Sequence, residues 1–297
     1  MFGSILFHEA VEINMRLPNK NDYMAFTAVF LTFLAFGEAS ANQPKPWQMG
    51  FQDAASSNME QITQFNNFLL ILMTAVVAIV FALMLFVMVR FRAGRNPVPS
   101  KTSHNTIVEV IWTVVPILIL VVIAVPSFRL LYFQRDIPEA DLTVKAVGYQ
   151  WYWGYEYPDH GDFAFDSLML DDAERGDQPR LLATDTAMVV PVGKTVRVVV
   201  TGADVLHAFA MPAFGLKIDA VPGRLNETWF KAEKTGTYYG QCSELCGIRH
   251  AFMPIRIEVV EPEVFTAWVA EAQEEYAALQ DNKTKLAADN VNISSIR

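Results

Sequence analysis

The sequence predicts a membrane-anchored protein of two unlike parts, a transmembrane α-helical hairpin followed by an all-β domain. Three observations predict it. Two runs of 22 and 19 residues carry no charge. Beyond residue 136, β-branched stretches alternate with Gly- and Pro-containing turns, the pattern of short strands. Charge is segregated as well: of a chain with net charge −9, the segment 136–297 alone holds 25 acids against 14 bases. With 52% hydrophobic and 19% charged residues, the chain is too apolar to be disordered. Acidic and without basic blocks, it is no nucleic-acid binder. Its two cysteines cannot make a disulfide-dense scaffold.

The elements follow in chain order. Tyr23 to Phe36 is a short apolar run preceded by Arg16 and Lys20 and followed by Ala39-Ser40-Ala41. A basic flank, a short apolar stretch and a small-x-small site predict a secretory signal over 1–41, with the mature chain beginning near Asn42. Residues 42–135 then form the hairpin. Phe68 to Val89 is 22 residues long, which at about 1.5 Å per residue spans roughly 33 Å, enough for a bilayer core. Val110 to Phe128 is the second span, with Pro116 and Pro126 inside it; membrane helices tolerate such prolines better than soluble ones. Between them stand Arg90, Arg92, Arg95 and Lys101 without an acid. The positive-inside rule puts that loop in the cytoplasm and both mature termini outside, in agreement with the signal segment.

The external domain, 136–262, contains the β-branched runs Leu142 to Val147, Thr186 to Val192, Thr195 to Val200 and Ile255 to Val260, punctuated by Gly193-Lys194 and Val221-Pro222-Gly223. Short strands and tight turns imply a sandwich or barrel. From 263 to 297 the pattern turns helical, with Val264, Phe265, Trp268, Val269, Ala272, Tyr276 and Leu279 at helical spacing, before a polar tail.

The chemistry is concentrated in Gly240-Gln-Cys-Ser-Glu-Leu-Cys-Gly-Ile-Arg-His-Ala-Phe-Met253, with His207 in Asp204-Val-Leu-His upstream. Two thiols, two imidazoles and a thioether form a soft ligand set that suits copper or zinc over magnesium or calcium. A disulfide between Cys242 and Cys246 is an alternative in an exported domain, though four residues apart its geometry is constrained. A tetrahedral zinc site is another, but zinc has no use for a thioether. A single blue copper uses one Cys, two His and an axial Met, which leaves one thiol over. The surplus thiol suggests two copper ions bridged by both sulfurs, a closed site suited to relaying electrons and not to binding a substrate.

The copper loop, the hairpin, Val147-Gly-Tyr-Gln-Trp-Tyr-Trp-Gly-Tyr-Glu-Tyr157, Asp204 to His207 and Asp219-Ala-Val-Pro-Gly-Arg224 together resemble subunit II of cytochrome c oxidase, in a bacterial version. That resemblance implies a cupredoxin-like Greek-key domain on the periplasmic side of the inner membrane. It implies a dinuclear copper centre, CuA, held by the side chains of His207, Cys242, Cys246, His250 and Met253 and by the backbone carbonyl of Glu244. The Glu244 carboxylate would also help hold a magnesium ion shared with subunit 1. Trp151 would be where electrons arrive from cytochrome c, and Glu109 would stand at the entrance of a proton pathway. Glu156, Asp159, Asp162, Asp166 and Asp204 would belong to the acidic docking face, where they would steer a basic partner.

Read without the resemblance, the aromatic run around Trp151 is a core or interface cluster, the acids are solvated, and Glu109 is a carboxylate snorkelling at the membrane edge. The implied partners are cytochrome c, subunit 1 and subunit 3. Electrons pass to a haem of subunit 1, where oxygen is reduced to water with proton pumping; the chain has no C-x-x-C-H motif for a haem of its own. A quinol oxidase subunit would lack the copper ligands. A copper chaperone would need an exchangeable site and would leave Trp151 and the acids without a role.

Overall fold

A computed structural model describes residues 42–98 and 100–276. The segment 1–41, where the sequence predicts a secretory signal, and the tail from residue 277 with Leu279 lie outside the described residues. Two long helices come first, α1 (Ser57–Arg90) and α2 (Thr106–Arg135), both long and apolar enough to cross a membrane. Each is longer than the apolar run that predicts it, because caps and not hydropathy set its ends. Ser56 caps α1 by accepting the Met59 N–H at 3.2 Å. Asn105 caps α2 by accepting from Ile107 and Val108 at 3.1 and 3.3 Å. Pro116 and Pro126 sit within α2 without ending it.

The β domain contains ten strands: β1 (Leu142–Tyr149), β2 (Tyr152–Tyr157), β3 (Phe163–Ser167), β4 (Met188–Pro191), β5 (Thr195–Gly202), β6 (His207–Met211), β7 (Leu216–Ala220), β8 (Asn226–Lys231), β9 (Gly236–Gln241) and β10 (Pro254–Val260). One sheet has the order β3-β2-β1-β5-β8, a second β4-β10-β9, and β6-β7 forms a separate pair. β1 runs parallel to β5 and antiparallel to β2, while β10 runs parallel to β4 and antiparallel to β9. This is the two-sheet, mixed-direction sandwich of a cupredoxin-like fold. One core joins the sheets: Val144, Tyr155, Val198 and Phe230 from the larger belong to the same buried cluster as Val190, Tyr238, Ile255 and Ile257 from the smaller. The Tyr157 hydroxyl pins them together, donating to the Val189 carbonyl and accepting the Val189 N–H, both at 2.9 Å.

β1, β4, β5 and β10 match the β-branched runs of the sequence. β2 and β9 are rich in aromatics instead, which favour strands for their fit to a half-buried pleated surface. A helical segment, 262–276, follows β10 and lays Phe265, Val269 and Ala272 against the core.

The first turns of α1 are polar and dock on the β domain. Ser56 Oγ donates to the Phe214 carbonyl at 2.8 Å, and Asn58 Nδ2 to that of Trp229 at 2.9 Å. Gly215 permits the approach: it has φ +69°, and a Cβ there would stand 2.7 Å from Ile62 Cδ1 and 3.1 Å from Met59 backbone. At the same end of the hairpin, Phe133 near the end of α2 meets Trp229 edge-on.

Candidate metal centre

One end of the sandwich gathers the turn between β1 and β2, the start of β6 and the loop between β9 and β10. Cys242, Cys246 and Met253 come from that last loop and His207 opens β6; all four are buried, His207 completely. The two Sγ atoms are 3.9 Å apart. Cys242 Sγ lies 4.0 Å from His207 Nδ1 and 3.3 Å from the Glu244 carbonyl oxygen. Cys246 Sγ lies 3.6 Å from His250 Nδ1 and 3.5 Å from Met253 Sδ. The ligand atoms of His207, Cys242 and Cys246 all fall within 4.8 Å of one another.

This donor set fits a soft metal. A disulfide would bring the sulfurs to about 2.05 Å, and the cysteines are free thiols. Two thiolates bound at about 2.3 Å to one tetrahedral ion would stand about 3.8 Å apart, close to the observed separation. Met253 buries its sulfur beside Cys246, where a weak copper ligand is useful and a zinc ligand is not.

Electrostatics prepare the site. Burial pushes the Cys242 thiol up, but hydrogen bonds from His207 and from the Ala208 and Glu244 backbone outweigh it and leave the thiol below its ordinary range. Burial and the neighbouring Cys242 push Cys246 the other way. Cys242 is therefore the more readily ionised of the two, and the charge it then carries opposes ionisation of Cys246. Burial lowers His207, yet Cys242 and Asp204 beside it prevail and hold it above its usual value.

Asp204 is the residue whose role the structure most changes. Its Oδ1 stands 2.9 Å from His207 Nε2 and accepts the Val205 N–H at 2.6 Å, while Oδ2 accepts the Gln150 N–H at 2.7 Å. Burial raises its carboxyl, and these bonds more than offset that, leaving it below the usual range. A carboxylate on Nε2 fixes the tautomer and turns Nδ1 to the metal position. Asp204 is thus the orienting partner of His207 before it is a docking acid. Gly148 lets the ring fit, since a Cβ there would lie 2.8 Å from His207 Cδ2.

Trp151 is tied to the same loop. Its indole N–H donates to the Cys246 carbonyl at 3.1 Å, and Gln150 Nε2 donates to that oxygen at 2.8 Å. Gln150 is a positioning residue that carries no signal in the sequence beyond its place next to Trp151. Glu244 turns its side chain outward.

The remaining acids are divided. β2 leads away from Trp151, so Asp159 and Asp162, beyond its far end, are about 17 Å off at roughly 3.3 Å per strand residue. Asp159 also accepts the Thr143 N–H at 2.6 Å, and Glu156 is paired with Lys145 at 2.9 Å. Asp166 pairs with Gly154 across the β2–β3 ladder, on the Trp151 side. Glu109, in the first turn of α2, accepts the Asn105 N–H at 3.3 Å, so it closes the start of its own helix.

Fold and site together define a β-sandwich that follows two helices long and apolar enough to cross a membrane and that gathers a soft ligand set able to hold a metal. The family model for the periplasmic domain of cytochrome c oxidase subunit II matches residues 142–260, and that for its transmembrane domain matches residues 44–130. The probable cytochrome c oxidase subunit 2 of Rickettsia bellii is 57% identical over 250 residues, covering 84% of this chain and 92% of the relative. Cytochrome c oxidase subunit 2 of Cereibacter sphaeroides is 48% identical over 250 residues, covering 78% and 82%. The solved periplasmic domain of cytochrome oxidase subunit II from Bradyrhizobium japonicum is 66% identical, with a TM-score of 0.46, covering 48% of this chain and 99% of that one. The chain belongs to the cytochrome c oxidase subunit II family.

Proposed function

We propose that this chain is the electron-receiving subunit of a cytochrome c oxidase in a bacterial inner membrane, with its β domain and both mature termini on the periplasmic side. The observation that supports it most is the pair of thiols 3.9 Å apart, flanked by two imidazoles and a thioether, with the Trp151 indole hydrogen-bonded to the Cys246 carbonyl. His207, Cys242, Cys246, His250, Met253 and the Glu244 carbonyl would hold a dinuclear copper centre. When bound, that centre supplies a one-electron relay. Asp204 holds the His207 ring in place, and burial of the thiols and of Met253 excludes water, so little rearranges when charge arrives. Trp151, half-buried at the rim, is where reduced cytochrome c delivers its electron, and Asp166 on that side is an acid with which a basic donor can be steered.

The onward acceptor is a haem of subunit 1, where oxygen is reduced to water with proton pumping; subunit 3 completes the expected assembly. The outward Glu244 carboxylate suits a magnesium ion shared with subunit 1. Glu109, at the opposite side of the membrane, stands at the entrance of a proton pathway.

Electron paramagnetic resonance on the full chain in detergent, copper-loaded and oxidised, tests the reading. Hyperfine structure from one unpaired electron shared equally by two copper nuclei is the expected result. Splitting from a single copper nucleus would overturn it.

A further inference from the structure

A groove of about 560 Å³ lies between α1 and α2 on the β-domain side, lined by Gln61, Gln64, Phe68, Pro126, Arg129 and Phe133 among others. Its place along the helices is informative. Arg129 directly follows Phe128, the last residue of the uncharged span of α2, and Phe68 opens the uncharged span of α1. At about 1.5 Å per residue, Gln64 and Gln61 stand roughly 6 and 10 Å above that boundary. The guanidinium and both amides therefore lie at the headgroup level, while Phe68 and Pro126 face the level of the acyl chains. Arg129 is exposed and makes no ion pair among the described residues.

We propose that this groove is a phospholipid site: Arg129 binds the phosphodiester, Gln61 and Gln64 bond its ester and headgroup oxygens, and the apolar floor holds the upper acyl chains. A planar guanidinium presents paired N–H groups that match two phosphate oxygens. A cation held at the headgroup level meets lipid phosphate directly, and basic pockets between membrane helices take lipid headgroups. A groove of this volume accommodates a phosphoglycerol group with the start of its chains. The inference rests on α1 and α2 being membrane spans and is independent of the metal centre.

The test is native mass spectrometry of the full chain in detergent, with phosphatidylglycerol or with diacylglycerol of the same chains. The native chain is expected to retain one phosphatidylglycerol at concentrations where diacylglycerol is lost. Arg129→Gln should weaken that retention about tenfold, the scale of a charge-assisted hydrogen bond. Arg129→Lys should keep most of it, which guards against misfolding, and Arg135→Gln, higher on the same helix, should keep all of it. Equal retention of the two lipids, or unchanged retention in Arg129→Gln, would overturn the proposal. Loss of an oxidase partner from Arg129→Gln with lipid retention unchanged would overturn it too, by assigning the guanidinium to a protein carboxylate. Retention of neither lipid would overturn the proposal as well, while leaving the membrane reading, which rests on the length and composition of the helices, untouched.

Discussion

Asp204→Asn separates two roles for one carboxylate. The substitution preserves shape and removes charge from a group bonded to His207 Nε2 at 2.9 Å, to the Val205 N–H at 2.6 Å and to the Gln150 N–H at 2.7 Å. The amide keeps one acceptor oxygen where the carboxylate has two: placed at Oδ1 it still serves the Val205 N–H, while the Gln150 N–H loses its partner, a surface cost that the fold should survive. What it loses is the negative charge that strengthens the bond to Nε2–H and so holds the His207 tautomer that leaves Nδ1 free for the metal. Loss of such an orienting partner weakens metal binding 10- to 100-fold, about 1.4–2.7 kcal/mol. Competition for copper between the full chain and a chelator of known affinity, native against variant, gives the number. Copper affinity unchanged within a factor of two would refute the orienting role. If the loss appeared instead as slower, less salt-sensitive association with cytochrome c at unchanged copper affinity, Asp204 would be a steering acid.

Gly148→Ala should displace the His207 ring, since its Cβ would stand 2.8 Å from Cδ2; overpacking of this kind costs about 1–3 kcal/mol of stability, and copper titration should show the affinity falling with it. Tyr157→Phe strips both partners from the buried Val189 backbone groups and should lower unfolding free energy by about 2–4 kcal/mol, read from denaturant melts in detergent. Asp141 is held below the usual carboxylate range, first by the Thr195 N–H at 2.9 Å and then by Lys194 at 3.1 Å. Its folded pKa is the lower one, so its contribution is present above the unfolded value and is lost as pH falls through the folded value. The stability gap between the native chain and Asp141→Asn should therefore be constant near neutrality and close below about pH 4; a gap that widened on acidification would contradict this.

The sequence by itself determined the features that are local in one dimension. A bilayer of fixed thickness demands about 20 apolar residues in a row, so both spans are legible without a fold. The thiols, His250 and Met253 fall within 12 residues, so most of the ligand set can be found by inspection, and alternating β-branched residues revealed β1, β4, β5 and β10. Tertiary structure decided whatever depends on which distant segments meet. His207 reaches Cys242 from 35 residues away, and Trp151 bonds a carbonyl 95 residues on. Asp204 looked like one acid among five until the β1–β2 turn and β6 were placed side by side, where its carboxylate serves Gln150 and His207 at once. The direction of β2 likewise separates Asp159 and Asp162 from Trp151, a distance that composition and charge counts cannot encode. The physical reason is the same in each case: burial length and ligand chemistry are properties of a segment, whereas a hydrogen bond between segments exists only once the sheets have fixed their register.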